Sequence, residues 1–427
     1  MNYTDDPAYA EKLDAQDPIA PFRKAFHIPK RPDGQEEIYL CGNSLGLQPV
    51  KTEAYLGEEL EKWRRLAVKG HFDDHRPWVP YHELLAEEAA RLVGGAPEEV
   101  VHMNTLTVNL HLLMVSFYHP TPGRFRILIE EHAFPSDHFA AESQAAFHGF
   151  APEKALITVK PREGEACLQT GDILETIERE GDTIALILLP GVHYYTGQVL
   201  DMEAITRAGH AKGCAVGFDL AHAAGNVPME LHRWNVDFAA WCTYKYLNSG
   251  PGSVAGAFVH RRHHANPALP RLTGWWGHDK ATRFRMENRF VPIPTAEAWM
   301  VSNSTILSLA AIRASLELFG EAGGIAPLRE KSLKLTGYLR FLIETRLKGA
   351  IDIITPREPS AHGCQLSLSI KDDARVAGRG IFEKIERAGV SCDWREPNVI
   401  RVAPTPLYNN FSEVFRFVQI LEEAVRS

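Results

Sequence analysis

The sequence predicts an α/β protein, with a large domain built on a mostly parallel sheet and a smaller α+β domain after it. Three observations predict this. Through the middle of the chain, short apolar runs of strand length alternate with helical stretches, the pattern of strands buried on both faces. Near residue 300 the texture changes, and two long helical stretches precede isolated strands. The chain has 427 residues, too many for one small core.

Residues 1–50 read as an N-terminal arm that packs with the small domain. The arm is polar with scattered prolines and ends in a strand-like segment at 37–40 and a tight turn, Cys41-Gly42-Asn43-Ser44-Leu45-Gly46. Residues 51–304 read as the large domain. A helix is predicted over 52–67, with Thr52 as its N-cap and Gly70 as its stop. Strands are predicted at 126–129, 184–189, 215–218, 236–240 and 255–259, with helices over 111–117 and 203–212. Residues 305–427 read as the small domain, with helices at 305–319, 326–347 and 412–425 and strands near 364–370 and 399–402.

Composition narrows the function. The net charge of −8 argues against nucleic acid as the main partner, because a phosphate-binding face needs clustered Lys and Arg. No apolar run approaches a membrane span, and residues 1–10 lack the basic and apolar regions of a signal peptide. The six cysteines are scattered without a C-x-x-C pair, which reads as reduced thiols in a cytoplasmic protein.

Several segments carry chemistry. Asp219 follows an apolar strand, and ligands of open α/β sheets bind at the carboxyl ends of strands. A carboxylate there can keep a pyridinium nitrogen protonated and so make the ring an electron sink; the same residue could simply cap a helix. Lys245 lies 26 residues after Asp219, beyond the next strand, between Tyr244 and Tyr246. That apolar setting suits imine formation, although most lysines are surface residues. Asn104-Thr105-Leu106-Thr107-Val108-Asn109 precedes a helix, and hydroxyls with free amides at a helix start can cradle phosphate. Ala133-Phe134-Pro135-Ser136-Asp137 could stack an aromatic ring on a cofactor or be an ordinary turn.

Other patterns are weaker. Gly250, Gly252 and Gly256 miss the dinucleotide spacing, and Pro251 intrudes. His260-Arg261-Arg262-His263-His264 contains two arginines and reads as a solvated loop, so no metal is expected. Trp275-Trp276 between glycines reads as lining a site or an interface.

Together these segments resemble the kynureninase family. The likeness runs from about Tyr39 to Tyr408. It is carried by the stretches 39–49, 103–111, 133–138, 191–198, 217–226 and 244–248, by Gly274-Trp275-Trp276-Gly277-His278, and by Arg401-Val402-Ala403-Pro404. The resemblance implies an aminotransferase-like fold of type I, pyridoxal 5'-phosphate as cofactor, and a homodimer with shared active sites. Lys245 would carry the cofactor, Asp219 would pair with its ring nitrogen and Phe134 would stack on the ring. Leu106, Thr107, Pro135, Ser136, Asp137, His222 and Tyr244 would complete the cradle, with Trp275 and Asn303 supplied by the partner. Arg401 would grip the substrate α-carboxylate, a bidentate task suited to guanidinium. Pro190 stands where many relatives have serine, and it offers neither hydroxyl nor N–H.

The implied reaction is hydrolysis of L-kynurenine or its 3-hydroxy form to L-alanine and an anthranilate. Lys245 would move the Cα proton, with Tyr244 and then Ser44 as later acid–base candidates. His71 and Asn303 could hydrogen-bond a ring hydroxyl, which leans the expectation toward 3-hydroxykynurenine. A desulfurase or aminotransferase of the same fold is the rival enzyme reading, and no reactive cysteine stands on an obvious Gly-rich loop. A non-catalytic cofactor sensor is the rival of a different class.

Overall fold

The computed structural model describes residues 3–266, 268–371 and 375–426. A two-residue strand, β1 (Ile38–Tyr39), precedes the seven strands of the large sheet. These are β2 (Val100–His102), β3 (Arg126–Glu130), β4 (Leu156–Val159), β5 (Ile184–Pro190), β6 (Ala215–Asp219), β7 (Phe238–Trp241) and β8 (Gly256–Val259). Their order is β2-β8-β7-β6-β5-β3-β4. All pairings from β4 to β7 are parallel, while β8 runs against both β7 and β2. Every residue of β5, β7 and β8 is buried, which explains why these strands read as unbroken apolar runs.

The sequence expectations for β3, β5, β6, β7 and β8 fall on the observed strands within two residues. β2 and β4 have no counterpart among the predicted strands. β4 is short and half-exposed, so it lacks a continuous apolar run. The helix Lys51–Leu66 starts after Val50 at its N-cap position, which places Thr52 inside the first turn. It ends before Gly70, and residues Ala67–His71 continue as a 3₁₀ turn.

Five further strands follow: β9 (Ile351–Ile353), β10 (Leu366–Ile370), β11 (Val390–Ser391), β12 (Asp393–Arg395) and β13 (Val399–Val402). Four of them form an antiparallel sheet in the order β12-β13-β10-β9, and β11 pairs with β1 in parallel. The helices Ile325–Arg346 and Phe411–Arg426 pack with this sheet, and Leu335, Leu339, Leu368, Val402 and Phe417 share its core. The arm feeds both cores: Ala10, Ile38 and Leu40 join this one, while Ile19, Phe26 and Leu47 join the core of the large sheet.

The packing changes later than the texture of the sequence. The helix Ile306–Glu321 contributes Leu309, Ile312, Leu316 and Phe319 to the large-sheet core, although residues 305–427 read as the small domain. Its apolar face is continuous with the sheet-covering helices, and sequence periodicity does not say which core an apolar face meets.

The His260–His264 segment also differs from its expectation as a solvated loop. His260 and His264 are buried. His263 Nε2 lies 2.7 Å and His210 Nε2 2.9 Å from the buried carboxylate of Asp237, which also pairs with Arg262. The basic run is therefore the counter-charge of a core aspartate, a partner that lies 26 residues away from His263 in sequence.

Candidate active site

The carboxyl ends of the parallel strands converge on one cavity of about 410 Å³. β3 delivers Glu130, β5 delivers Pro190, and β6 delivers Asp219. The chain leaving β7 carries Tyr244 and Lys245 into the same space, and β13 brings Arg401 from the small sheet. Strand ends are the natural place for this, because the rigid sheet fixes each side chain while the loops remain free to vary.

Lys245 Nζ lies 3.0 Å from His222 Nε2 and 5.9 Å from the centre of the Phe134 ring. Burial first, then the neighbouring Lys245 charge, holds the His222 imidazole well below its ordinary range. Asp219 is buried, and one of its oxygens accepts a 2.7 Å hydrogen bond from the Ala221 amide. It therefore caps a turn and faces the cavity at once, which combines the two readings of this residue.

Two more carboxyls sit beside Asp219. Burial, then Asp219, pushes Asp137 well above the carboxylate range, and one Asp137 oxygen is buried without a hydrogen-bond partner. Glu130 is pushed up to about 8, by burial foremost. Tyr244 is pushed up by burial and then by Cys242, so its phenol stays protonated.

The residues fit pyridoxal 5'-phosphate. The helix Leu106–Phe117 opens at the cavity with Thr105 extended before it. Its first amides have no partners within the helix, which suits a phosphate. The hydroxyls of Thr107, Ser136 and Tyr244 line the same cavity. Asp219 lines the same cavity, and its carboxylate is the group type that would hold a pyridine nitrogen protonated. The buried partnerless atoms of Asp137 Oδ1 and His222 Nδ1 belong to residues lining this space, and buried polar atoms are normally satisfied.

Most of the expected site residues thus meet: Ser44, Leu106, Thr107, Phe134, Ser136, Asp137, Asp219, His222, Tyr244, Lys245 and Arg401 all line the cavity. Pro135 instead opens the helix Pro135–Phe147 and lines a neighbouring cavity of about 850 Å³. The segment at 133–137 is thus a helix start with proline in the first turn. His71, Trp275 and Asn303 lie outside the cavity. His71 abuts Phe72, Phe72 meets Phe284, and Phe284 meets Trp275 at 5.4 Å. Gly274, beside Trp275, packs closely on the Val301 backbone. Trp276, by contrast, is core.

Sequence reasoning missed Glu130, Tyr194, Asp393 and Arg395. Glu130 had a signal, an acidic residue ending an apolar strand as Asp219 does. Asp393 and Arg395 alternate on a short strand, and only the pairing with β13 reveals what they face.

The cysteines are free, and each is pushed up by burial, with Cys41 and Cys167 at about 11 and Cys364 at about 12. None offers the low-pKa thiolate that thiol chemistry needs.

Comparison with known proteins agrees with this geometry. Residues 49–372 match the aminotransferase class-V model, and residues 328–421 match the kynureninase C-terminal domain. The chain is 55% identical over 411 residues to a kynureninase of Koribacter versatilis, covering 96% of each. It is 54% identical to a kynureninase of Myxococcus xanthus, covering 99% of this chain and 98% of that one. Among solved structures it resembles an apo cysteine desulfurase from Thermococcus onnurineus NA1, with TM-score 0.76 and 16% identity over 95% of this chain and 98% of that one. It also resembles the cystine C–S lyase C-DES in complex with cysteine persulfide, with TM-score 0.75 and 17% identity over 92% and 99% of the two chains. Those two likenesses establish the fold, that of the type I pyridoxal-phosphate enzymes. At 50% identity and above over nearly its whole length, and with this cavity, the chain belongs to the kynureninase family of pyridoxal-phosphate-dependent hydrolases that act on a carbon–carbon bond.

Proposed function

We propose that this enzyme hydrolyses the Cβ–Cγ bond of L-kynurenine or 3-hydroxy-L-kynurenine, releasing L-alanine and the corresponding anthranilate in tryptophan catabolism. The observation that carries the reading is the meeting of Lys245, Asp219 and Arg401 in one cavity of a chain so similar to kynureninases.

Pyridoxal phosphate, when bound, supplies an electron sink for the bond-breaking at the substrate. Lys245 would hold the cofactor and, as a free amine, would take the Cα proton at Nζ. Asp219 would keep the ring nitrogen protonated, and Phe134 would stack on the ring. Arg401 binds the α-carboxylate. Water adds to the substrate γ-carbonyl, and Tyr244, a protonated phenol, donates to the β-carbon after cleavage. Ser44 lines the same wall and is the weaker candidate for that step.

The reading includes a homodimer. His71 and Trp275 do not line the chain's own cavity and are linked through Phe72 and Phe284, which supports a role in completing a partner's site. This aromatic row is exposed, with Phe72 61%, Phe284 50% and Trp275 42% accessible, and clustered exposed apolar residues favour an interaction surface. His71 and Asn303 of the partner subunit would then hydrogen-bond a ring hydroxyl, which favours the 3-hydroxy substrate. Free cysteines throughout support a cytoplasmic location.

The test is steady-state kinetics of the purified holoenzyme on both substrates, with release of alanine measured directly. Alanine release with a higher kcat/KM for 3-hydroxykynurenine is expected. No alanine from either substrate overturns the function, and a clear preference for kynurenine overturns the substrate assignment.

A further inference from the structure

Arg401 is more constrained than a simple carboxylate grip requires. Residues Asp393 and Arg401 are direct cross-strand partners of β12 and β13. The Asp393 carboxylate accepts from Arg401 Nε and Nη2, both at 2.7 Å, and the Tyr194 carbonyl accepts from Nη1 at 2.7 Å. Three of the five guanidinium N–H groups are thereby committed. Arg401 is 1% exposed, so its orientation is fixed by these contacts.

Arg395 approaches the same carboxylate. It stands two residues beyond Asp393, on the same face of β12, and donates from Nε at 3.1 Å and Nη2 at 3.0 Å. Asp393 thus accepts four hydrogen bonds, which uses the roughly four lone-pair positions of a carboxylate. Both arginines line the cavity that holds Lys245, while Asp393 does not. The wall therefore presents only donors, two spare N–H groups on Arg401 and three on Arg395. Two guanidiniums and one carboxylate leave a single positive charge.

We infer that Asp393 is a positioning residue that clamps Arg401 and Arg395 into one subsite for a monoanionic α-carboxylate, with Arg395 as its second binding arginine. Asp393 keeps two like charges together that would otherwise repel. It also sets the charge of the wall to match one carboxylate. Its own oxygens are saturated, so it offers no repulsive lone pair to the ligand.

This inference rests on the kynurenine reading only for the place of Arg401, and its test does not need turnover. L-alanine and propylamine are titrated into the holoenzyme, with the change in cofactor absorbance as the readout. The first carries the α-carboxylate and the second lacks it. In Asp393→Asn the affinity for L-alanine should fall about ten- to a hundredfold, the scale of a lost charge-assisted contact, with propylamine changed less than about threefold. Arg395→Gln, at a half-exposed position that tolerates change, should weaken L-alanine about tenfold and spare propylamine. Unchanged cofactor absorbance and circular dichroism exclude misfolding in either variant. Equal weakening of both ligands, or no weakening of L-alanine in either variant, overturns the clamp. A holoenzyme that shows this discrimination but cleaves neither kynurenine overturns the function and leaves the clamp standing.

Discussion

Lys245 and His222 face each other across 3.0 Å, and burial keeps the imidazole neutral. The other ring nitrogen, Nδ1, is buried without a partner. A neutral imidazole thus holds the lysine in place.

Lys245→Ala should abolish turnover, by about 10⁴-fold or more, because the cofactor's anchor and the Cα base are lost together. The absorbance of lysine-bound cofactor should vanish as well. Retained activity with a normal spectrum would sink the assignment.

Tyr244→Phe removes the phenol that burial and Cys242 keep protonated. Loss of a proton donor should lower kcat by about 10²- to 10⁴-fold, measured at saturating cofactor because the phenol also lines the phosphate cradle. A kcat within about threefold of the parent would assign the donor role elsewhere, with Ser44 next in line.

The shared-site reading predicts complementation. Lys245→Ala and Trp275→Ala should each be nearly inactive alone. Co-refolded, they should regain about a quarter of the parental activity, because half of the molecules are hybrids, and one of the two sites in each hybrid keeps both residues. The same sample should sediment as a dimer. Absence of recovery in a mixed dimer refutes a site built from two chains.

How much of this is legible in the sequence depends on where each signal lies. Asp219 and Lys245 can be paired because each follows an apolar strand, and strand ends converge in a parallel sheet. The Thr107 cradle is legible as a helix start. Asp393 and Arg395 are not, since their meaning comes from the register of β12 on β13, a long-range pairing. The His260–His264 run misleads for the same reason. Its partner Asp237 is in a different strand region, and local composition makes the run look solvated. The core membership of Ile306–Glu321 depends on which surface its apolar face meets.

Asp237 makes the consequence of that run testable. Burial would raise its carboxyl, but His210, His263 and Arg262 together hold it far below the usual range. A depressed carboxylate contributes stability that is present above the unfolded value, near 3.9, and is lost as pH falls. Asp237→Ala should destabilise the protein by on the order of 3–5 kcal/mol at pH 7, the scale for breaking a buried pair. The gap from the parent should close as both are taken to acid. Urea unfolding at pH 7 and below pH 4 measures this, and a gap that stays constant with pH would refute it.

Glu130 should do the opposite. Its carboxyl is raised from 4.5 to about 8, by burial foremost and with Asp219 adding to it. Between those values the folded protein holds a proton that the unfolded chain releases. The stabilising contribution is therefore complete below about 4.5, declines as pH rises and is gone above about 8. Glu130→Gln has no such proton to lose. Relative to the parent, the cofactor-free variant should gain stability by several kcal/mol on going from pH 5 to pH 9, since a tenfold difference in proton affinity between the folded and unfolded chain is worth about 1.4 kcal/mol. Urea midpoints at the two pH values decide the matter. Parallel changes in parent and variant would mean that Glu130 stays ionised in the fold, held by a cation that the cavity would have to provide.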